Sequence, residues 1–105
     1  MRYEWSPDKD ITNLKKHGIS FNEACQIFEN DVFTWIDKRK DYNETRIISI
    51  GSLDGEIIIV VVHTDRNGIT RIISARPAKK KERRLYNEHI KKNVLRKLKL
   101  LRMKI

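Results

Sequence analysis

The sequence predicts an α+β protein: a compact antiparallel sheet flanked by two N-terminal helices and one long basic C-terminal helix. Three observations carry this. Capping signatures open two apolar-periodic stretches before residue 30. Four runs rich in Ile, Val, Thr and Trp follow, separated by short turn-forming clusters. From Ala78 onward, apolar residues recur every three or four positions. With 105 residues, 39% apolar and 35% charged, the chain has material for one core and a charged exterior, so a single domain is expected.

Taken in order, "RYEW" alternates and predicts a short first strand. In "SPDKDITNLKKHG", Ser6 suits an N-cap, Pro7 the first helical position, Asp8 the positive helix end and Gly18 the stop. A helix over Pro7 to His17 follows, with Ile11, Leu14 and Lys15 on the face expected to meet the sheet. "SFNEACQIFEN" pairs Ser20 with Glu23 as a capping box and predicts a second helix of about three turns, with Cys25 in its core. "VFTWID", "TRIISIGS", "EIIIVVVHT" and "ITRIISAR" read as strands, and "KRKDYNE", "LDG" and "DRNG" as the turns that make them antiparallel neighbours. Ile57 to Val62 is apolar on both faces, as a central strand covered on both sides would be. Pro77 closes the last strand. The final helix, from 78 to about 101, carries a stripe of Leu85, Tyr86, Ile90, Val94, Leu98, Leu101 and Ile105. At 1.5 Å per residue it would run roughly 35 Å, so its distal end is expected to leave the core.

Composition narrows the function. Met1 to Asp10 holds no apolar signal segment and no run is long enough to span a bilayer, so the expected location is the cytoplasm. Cys25 stands alone, and His17, His63 and His89 are scattered, so no disulfide, metal or other cofactor is expected. Residues 1–78 hold 11 Lys or Arg against 12 Asp or Glu, a net of −1; residues 79–105 hold 12 against 2, a net of +10. Such asymmetry points to a polyanionic partner, whether nucleic acid, anionic membrane or acidic protein, and charge does not choose among them.

The polar residues at strand ends are the candidates for chemistry. His63 and Arg76 close two strands expected to be neighbours, Arg46 opens a third, and Arg71 lies between Thr70 and Ile72. Alternation sets His63 with Ile57, Ile59 and Val61, and Arg76 with Thr70, Ile72 and Ser74; register decides whether the faces coincide. Arg76, next to Pro77 and the basic helix, sits where cations would focus on one anion. Arg83 and Tyr86, on successive turns, could clamp a phosphate and stack on a base. Each also has a plain structural role open to it: His63 as a hydrogen-bonded strand-end histidine, Arg71 as an exposed strand residue, His17 as a cation at a helix C-terminus.

"YEWSPDKDITNLKKHGISFNEA", followed by "RIISIG" and "IIIVVVHTDRNGITRIISARPAKKKERRLY", resembles the BrnT family of toxins from type II toxin-antitoxin modules, over about residues 3–86. The resemblance implies a RelE-like fold and a metal-independent endoribonuclease that cleaves RNA and arrests translation. It also implies neutralisation by a BrnA-type antitoxin, the pair repressing its own promoter, so that operator DNA is met only through the antitoxin complex. Lys16, His17, Arg46, His63, Arg71, Arg76, Arg83 and Tyr86 fall in the family's motifs. On that basis His63 is the expected base or acid, Arg46 and Arg76 the stabilisers of transition-state charge, and Lys16, Arg71, Arg83, Arg84 and Tyr86 the RNA-holding set. The rival reading is a non-catalytic basic nucleic-acid-binding module, or a partner in a repressor complex. Residues 1–86 are the expected toxin domain. Residues 87–105 are a basic amphipathic helical extension of it, suited to a partner chain, ribosomal RNA or an anionic membrane.

Overall fold

The computed structural model describes residues 1–104. The N-terminal signals form what they specify. Strand β1 (Arg2–Glu4) leads into α1 (Pro7–His17), whose N-cap Ser6 accepts from the Lys9 N–H and whose C-cap Gly18 takes φ 72° while its N–H bonds Leu14 O at 2.8 Å. The Ser20–Glu23 capping box opens α2. That helix is shorter than expected: one α turn (Phe21–Ala24) tightens into a 3₁₀ segment, Cys25–Glu29. This segment packs closely on the sheet, because Gly51 leaves room for Ile27.

The remaining strands are β2 (Phe33–Ile36), β3 (Ile47–Leu53), β4 (Ile57–Arg66) and β5 (Ile69–Pro77), followed by α3 (Lys80–Met103). They form one sheet in the order β1-β5-β4-β3-β2, with β4 central, as its doubly apolar run requires. Pairing is antiparallel except that β1 lies parallel to β5, so the sheet is mixed rather than wholly antiparallel. A bulge between β4 and β5 pairs Val62 with Ser74 and His63 with Ile72, leaving Ile73 over. It reverses the alternation within β5. Ile72 and Ala75 therefore face one side with Ile59 and Val61, while Ser74 and Arg76 face the other. The expected grouping of Arg76 with Ile72 fails for this reason.

Each face of the sheet has its own core. On one side, Ile19, Phe21, Ala24 and Ile27 cover Ile59, Val61, Ile72 and Ala75. The residue that α1 buries is Asn13, not Ile11 or Leu14, which are 54% and 47% exposed. Asn13 Nδ2 donates to Ile19 O (2.9 Å) and Ala75 O (2.8 Å), and its Oδ1 accepts from Ala75 N (3.2 Å). Asp10 Oδ1 accepts from Phe21 N (2.8 Å). This helix docks by satisfying backbone groups rather than by its apolar spacing.

On the other side, Ala78, Tyr86 and Ile90 of the C-terminal segment lie over Ile48, Ile50, Val60, Ile58 and Phe33. Beyond Ile90, α3 leaves the body: Val94, Leu98 and Leu101 are each half exposed or more, and the molecule measures 53 × 29 × 26 Å. The stripe's last position, Ile105, lies outside the described residues. No helix among the described residues is long and apolar enough to cross a membrane.

Candidate functional site

Because α3 covers only one end of its face of the sheet, the rest of that face is an open cleft of about 470 Å³. Its floor is apolar, from Ile48, Val60 and Val62, and Trp35 of β2 forms one wall. Charged groups rise on both sides. From β5, Arg76 reaches the start of α3, where Nη1 and Nη2 donate to Glu82 Oε1 and Oε2, both at 2.8 Å. The Arg76 hydrogen bond holds Glu82 below its ordinary value, and Glu82 in turn raises Arg76. Opposite, Arg39 Nε and Nη2 donate to Asp37 Oδ1 and Oδ2 at 2.9 Å, and Tyr42 OH donates to Oδ2 at 3.1 Å. Those bonds hold the buried Asp37 carboxyl well below the usual carboxylate range. Arg39 and Lys38 themselves are exposed at the mouth.

The cleft thus combines an indole wall, an apolar floor, two guanidinium forks and a lysine. An indole can stack on a base, and guanidinium forks match phosphate oxygens two at a time.

The expected residues divide between the two faces. Arg46 stands on the cleft side, beyond Asp37, whose N–H bonds Arg46 O at 2.8 Å. Its guanidinium carbon lies 4.0 Å from the Tyr42 ring centre. Its Nε is buried without a hydrogen-bond acceptor, 3.8 Å from Glu44 Oε1. Arg71 pairs with Thr64 in register and with Glu4 at 3.5 Å. Arg83 and Arg84 are exposed on α3, and Arg83 Nη1 donates to Ala78 O at 2.8 Å. Tyr86 is 8% exposed under α3 and belongs to the core, so its ring is not available for stacking on a base. Lys16 lies on α1, in a shallow depression with Asp8, Lys9 and His17.

His63 is on the opposite face from Arg76, so the expected pairing of the two in one site is not formed. Its ring is 8% exposed and packs edge-on to Phe28, with centroids 4.9 Å apart. Nε2 and Ser49 Oγ are hydrogen-bonded at 2.8 Å, and Ser49 Oγ and Thr34 Oγ1 at 2.9 Å. Burial pushes the ring down to about 4.

Trp35, Asp37, Lys38, Arg39 and Glu82 are not among the residues the sequence points to. The "VFTWIDKR" segment holds four of them within five positions, but only the pairing of β2 with β3 turns Trp35 onto the Ile48 side. Among the described residues, no three His, Cys, Asp or Glu converge as a metal site would need.

A family model described as "Ribonuclease toxin, BrnT, of type II toxin-antitoxin system" matches residues 5–82. Among solved structures, the chain is similar to the crystal structure of the Brucella abortus ribonuclease toxin BrnT, with 28% identity and a TM-score of 0.60. That match covers 76% of this chain and 99% of the other. The comparison with curated proteins gave no match.

Proposed function

This chain belongs to the BrnT family of ribonuclease toxins of type II toxin-antitoxin systems, and we propose that it is a metal-independent endoribonuclease that cuts single-stranded RNA in the open cleft. It acts in the cytoplasm, arrests translation and growth by cutting RNA, and is held in check by a BrnA-type antitoxin. The observation that carries this reading is the Arg76–Glu82 pair, a guanidinium fork and a carboxylate bonded at 2.8 Å within a cleft that also presents Trp35, Lys38 and Arg39.

Trp35 stacks on a base while Arg39 and Lys38 hold flanking phosphates. The scissile phosphate occupies the Arg76 fork and displaces Glu82 from it. The freed carboxylate takes the proton of the ribose 2′-OH as its oxygen attacks phosphorus. The bond from phosphorus to the 5′-oxygen breaks, that oxygen takes a proton from water, the proton held by Glu82 neutralises the hydroxide left, and the products are a 2′,3′-cyclic phosphate and a 5′-OH. Arg76 stabilises the charge that builds on the phosphorane. The role expected of His63 passes to Glu82 here, since the buried imidazole lies across the sheet from Arg76. Arg46 remains in support of the same charge from beyond Asp37, and Arg71, Arg83 and Arg84 guide the strand electrostatically.

The test is induced expression of wild type, Arg76→Ala and Glu82→Gln in a bacterial host, following growth and mapping RNA ends by primer extension. Wild type should arrest growth and create new ends, and purified enzyme should cut equally well in EDTA. Arg76→Ala should lower the cleavage rate by roughly a hundredfold or more. A soluble, folded wild type that creates no new ends would favour the non-catalytic binding module.

A further inference from the structure

The family match ends at Glu82, yet α3 runs on to Met103 as one unbroken helix. Its distal part has a definite pattern. Ile90, Val94, Leu98 and Leu101 fall within an arc of roughly 80° at 3.6 residues per turn. Ile90 still touches the body, whereas Val94, Leu98 and Leu101 are 50%, 53% and 59% exposed. Lys97 and Lys104 border one edge of this seam, and Lys91 and Arg102 the other. Between His89 and Lys104 there are seven Lys or Arg and no Asp or Glu.

Leu95 and Leu100, 57% and 53% exposed, lie outside the two basic borders, but between those borders the seam is the width one helix offers another. A second copy of the chain is a poor occupant: in a parallel pair Lys97 would face Arg102, and in an antiparallel pair Lys97 would face Lys104. Like charges facing one another across such a contact oppose it. The uniform sign of both borders calls for a partner with Asp or Glu at its own edges.

We propose that the distal half of α3 is a docking site for an acidic amphipathic helix of a partner protein, which lays an apolar stripe on Val94, Leu98 and Leu101 and carboxylates along the two basic borders. The partner class rests on the toxin reading, because a type II system supplies a protein that binds the toxin, and an acidic helix on that antitoxin is the occupant to which the charges point. Docking there leaves the sheet cleft open to a second segment of the same partner.

The test uses the full chain and a synthetic four-heptad helix with leucine and isoleucine at its core positions and glutamate at its flanking positions. Binding is followed by fluorescence anisotropy of the labelled peptide, alongside a lysine-flanked counterpart. The glutamate peptide should bind and the lysine peptide should not. The double variant Leu98→Ser/Leu101→Ser should bind at least about tenfold more weakly, with its helix content by circular dichroism and its RNA cleavage unchanged. Unaltered peptide binding by that variant would reduce the contact to charge alone and overturn the proposal. So would attachment to phosphatidylglycerol vesicles, or dimerisation in sedimentation equilibrium, by a chain that ignores the glutamate peptide. Cleavage without peptide binding would sink this inference and leave the ribonuclease standing; peptide binding without cleavage would do the reverse.

Discussion

The buried imidazole of His63 makes a prediction that separates structure from catalysis. The ring is 8% exposed, and burial depresses it from an ordinary 6.5 to about 4. Above pH 6.5 it is neutral in both folded and unfolded chains, so its protonation affects stability little. As pH falls below 6.5 the unfolded chain takes a proton that the folded chain refuses, and stability drops until the folded ring is itself protonated near pH 4. With 1.36 kcal/mol for each tenfold ratio of proton affinity, the loss from His63 is about 2 kcal/mol between pH 7.5 and pH 5. Urea unfolding at both pH values measures it, compared with His63→Gln, which keeps a hydrogen-bonding group toward Ser49 and cannot titrate. The variant should lose about 2 kcal/mol less than wild type over that interval. Equal losses would refute the reasoning. The same variant should still cleave RNA at pH 7.5; a folded His63→Gln that no longer cleaves would return the imidazole to the chemistry.

Other perturbations probe the packing that positions the cleft. Asn13→Ala strips the partners from Ala75 N–H and from the Ala75 and Ile19 carbonyls, and should cost about 2–3 kcal/mol in chemical denaturation, whereas Leu14→Ala, at an exposed position, should cost under about 1. Gly51→Ala would set its new Cβ 2.6 Å from Ile27 Cβ and 3.1 Å from Val32 Cγ1; neither atom is a flexible tip, so the 3₁₀ segment must shift, and a loss of about 1–3 kcal/mol in urea is expected. Burial pushes the Cys25 thiol up to about 11, so a disulfide reagent at neutral pH should label it slowly in the folded chain and rapidly in urea.

What could be read in advance followed the reach of each signal. Caps and glycine stops act within four residues, and α1 came out at the expected bounds because Ser6, Pro7 and Gly18 suffice to set them. The central place of β4 was legible because a strand covered on both faces must be apolar on both. The inward face of α1 was not, because its docking depends on the backbone partners Asn13 finds 62 residues away at Ala75. Nor was the separation of His63 from Arg76. The two residues lie on neighbouring strands, as expected, but a single surplus residue, Ile73, decides which way the end of β5 faces.

The excess positive charge lies on α3, yet the groups best disposed for chemistry lie mostly in the part of the chain that is nearly neutral. Residues 1–78 carry a net of −1, and Trp35, Lys38, Arg39 and Arg76 all fall within them. Both guanidinium groups are already paired before any ligand arrives, Arg39 with Asp37 beside it and Arg76 with Glu82 of α3. A paired guanidinium draws little on the long-range field, and it exchanges one anion for another only where a phosphate fits its fork. The unpaired excess on the distal helix acts in the opposite way, over a distance and without shape. A steep salt dependence of binding should therefore follow the lysines of α3, while the rate of cleavage on bound RNA should follow Arg76 and Glu82. Two mutant series measured at two ionic strengths would separate them: Lys97→Gln/Lys99→Gln should flatten the salt slope and spare the single-turnover rate, and Arg76→Lys should do the reverse. If the α3 pair changed the rate at saturating enzyme, the division between attraction and chemistry would be wrong.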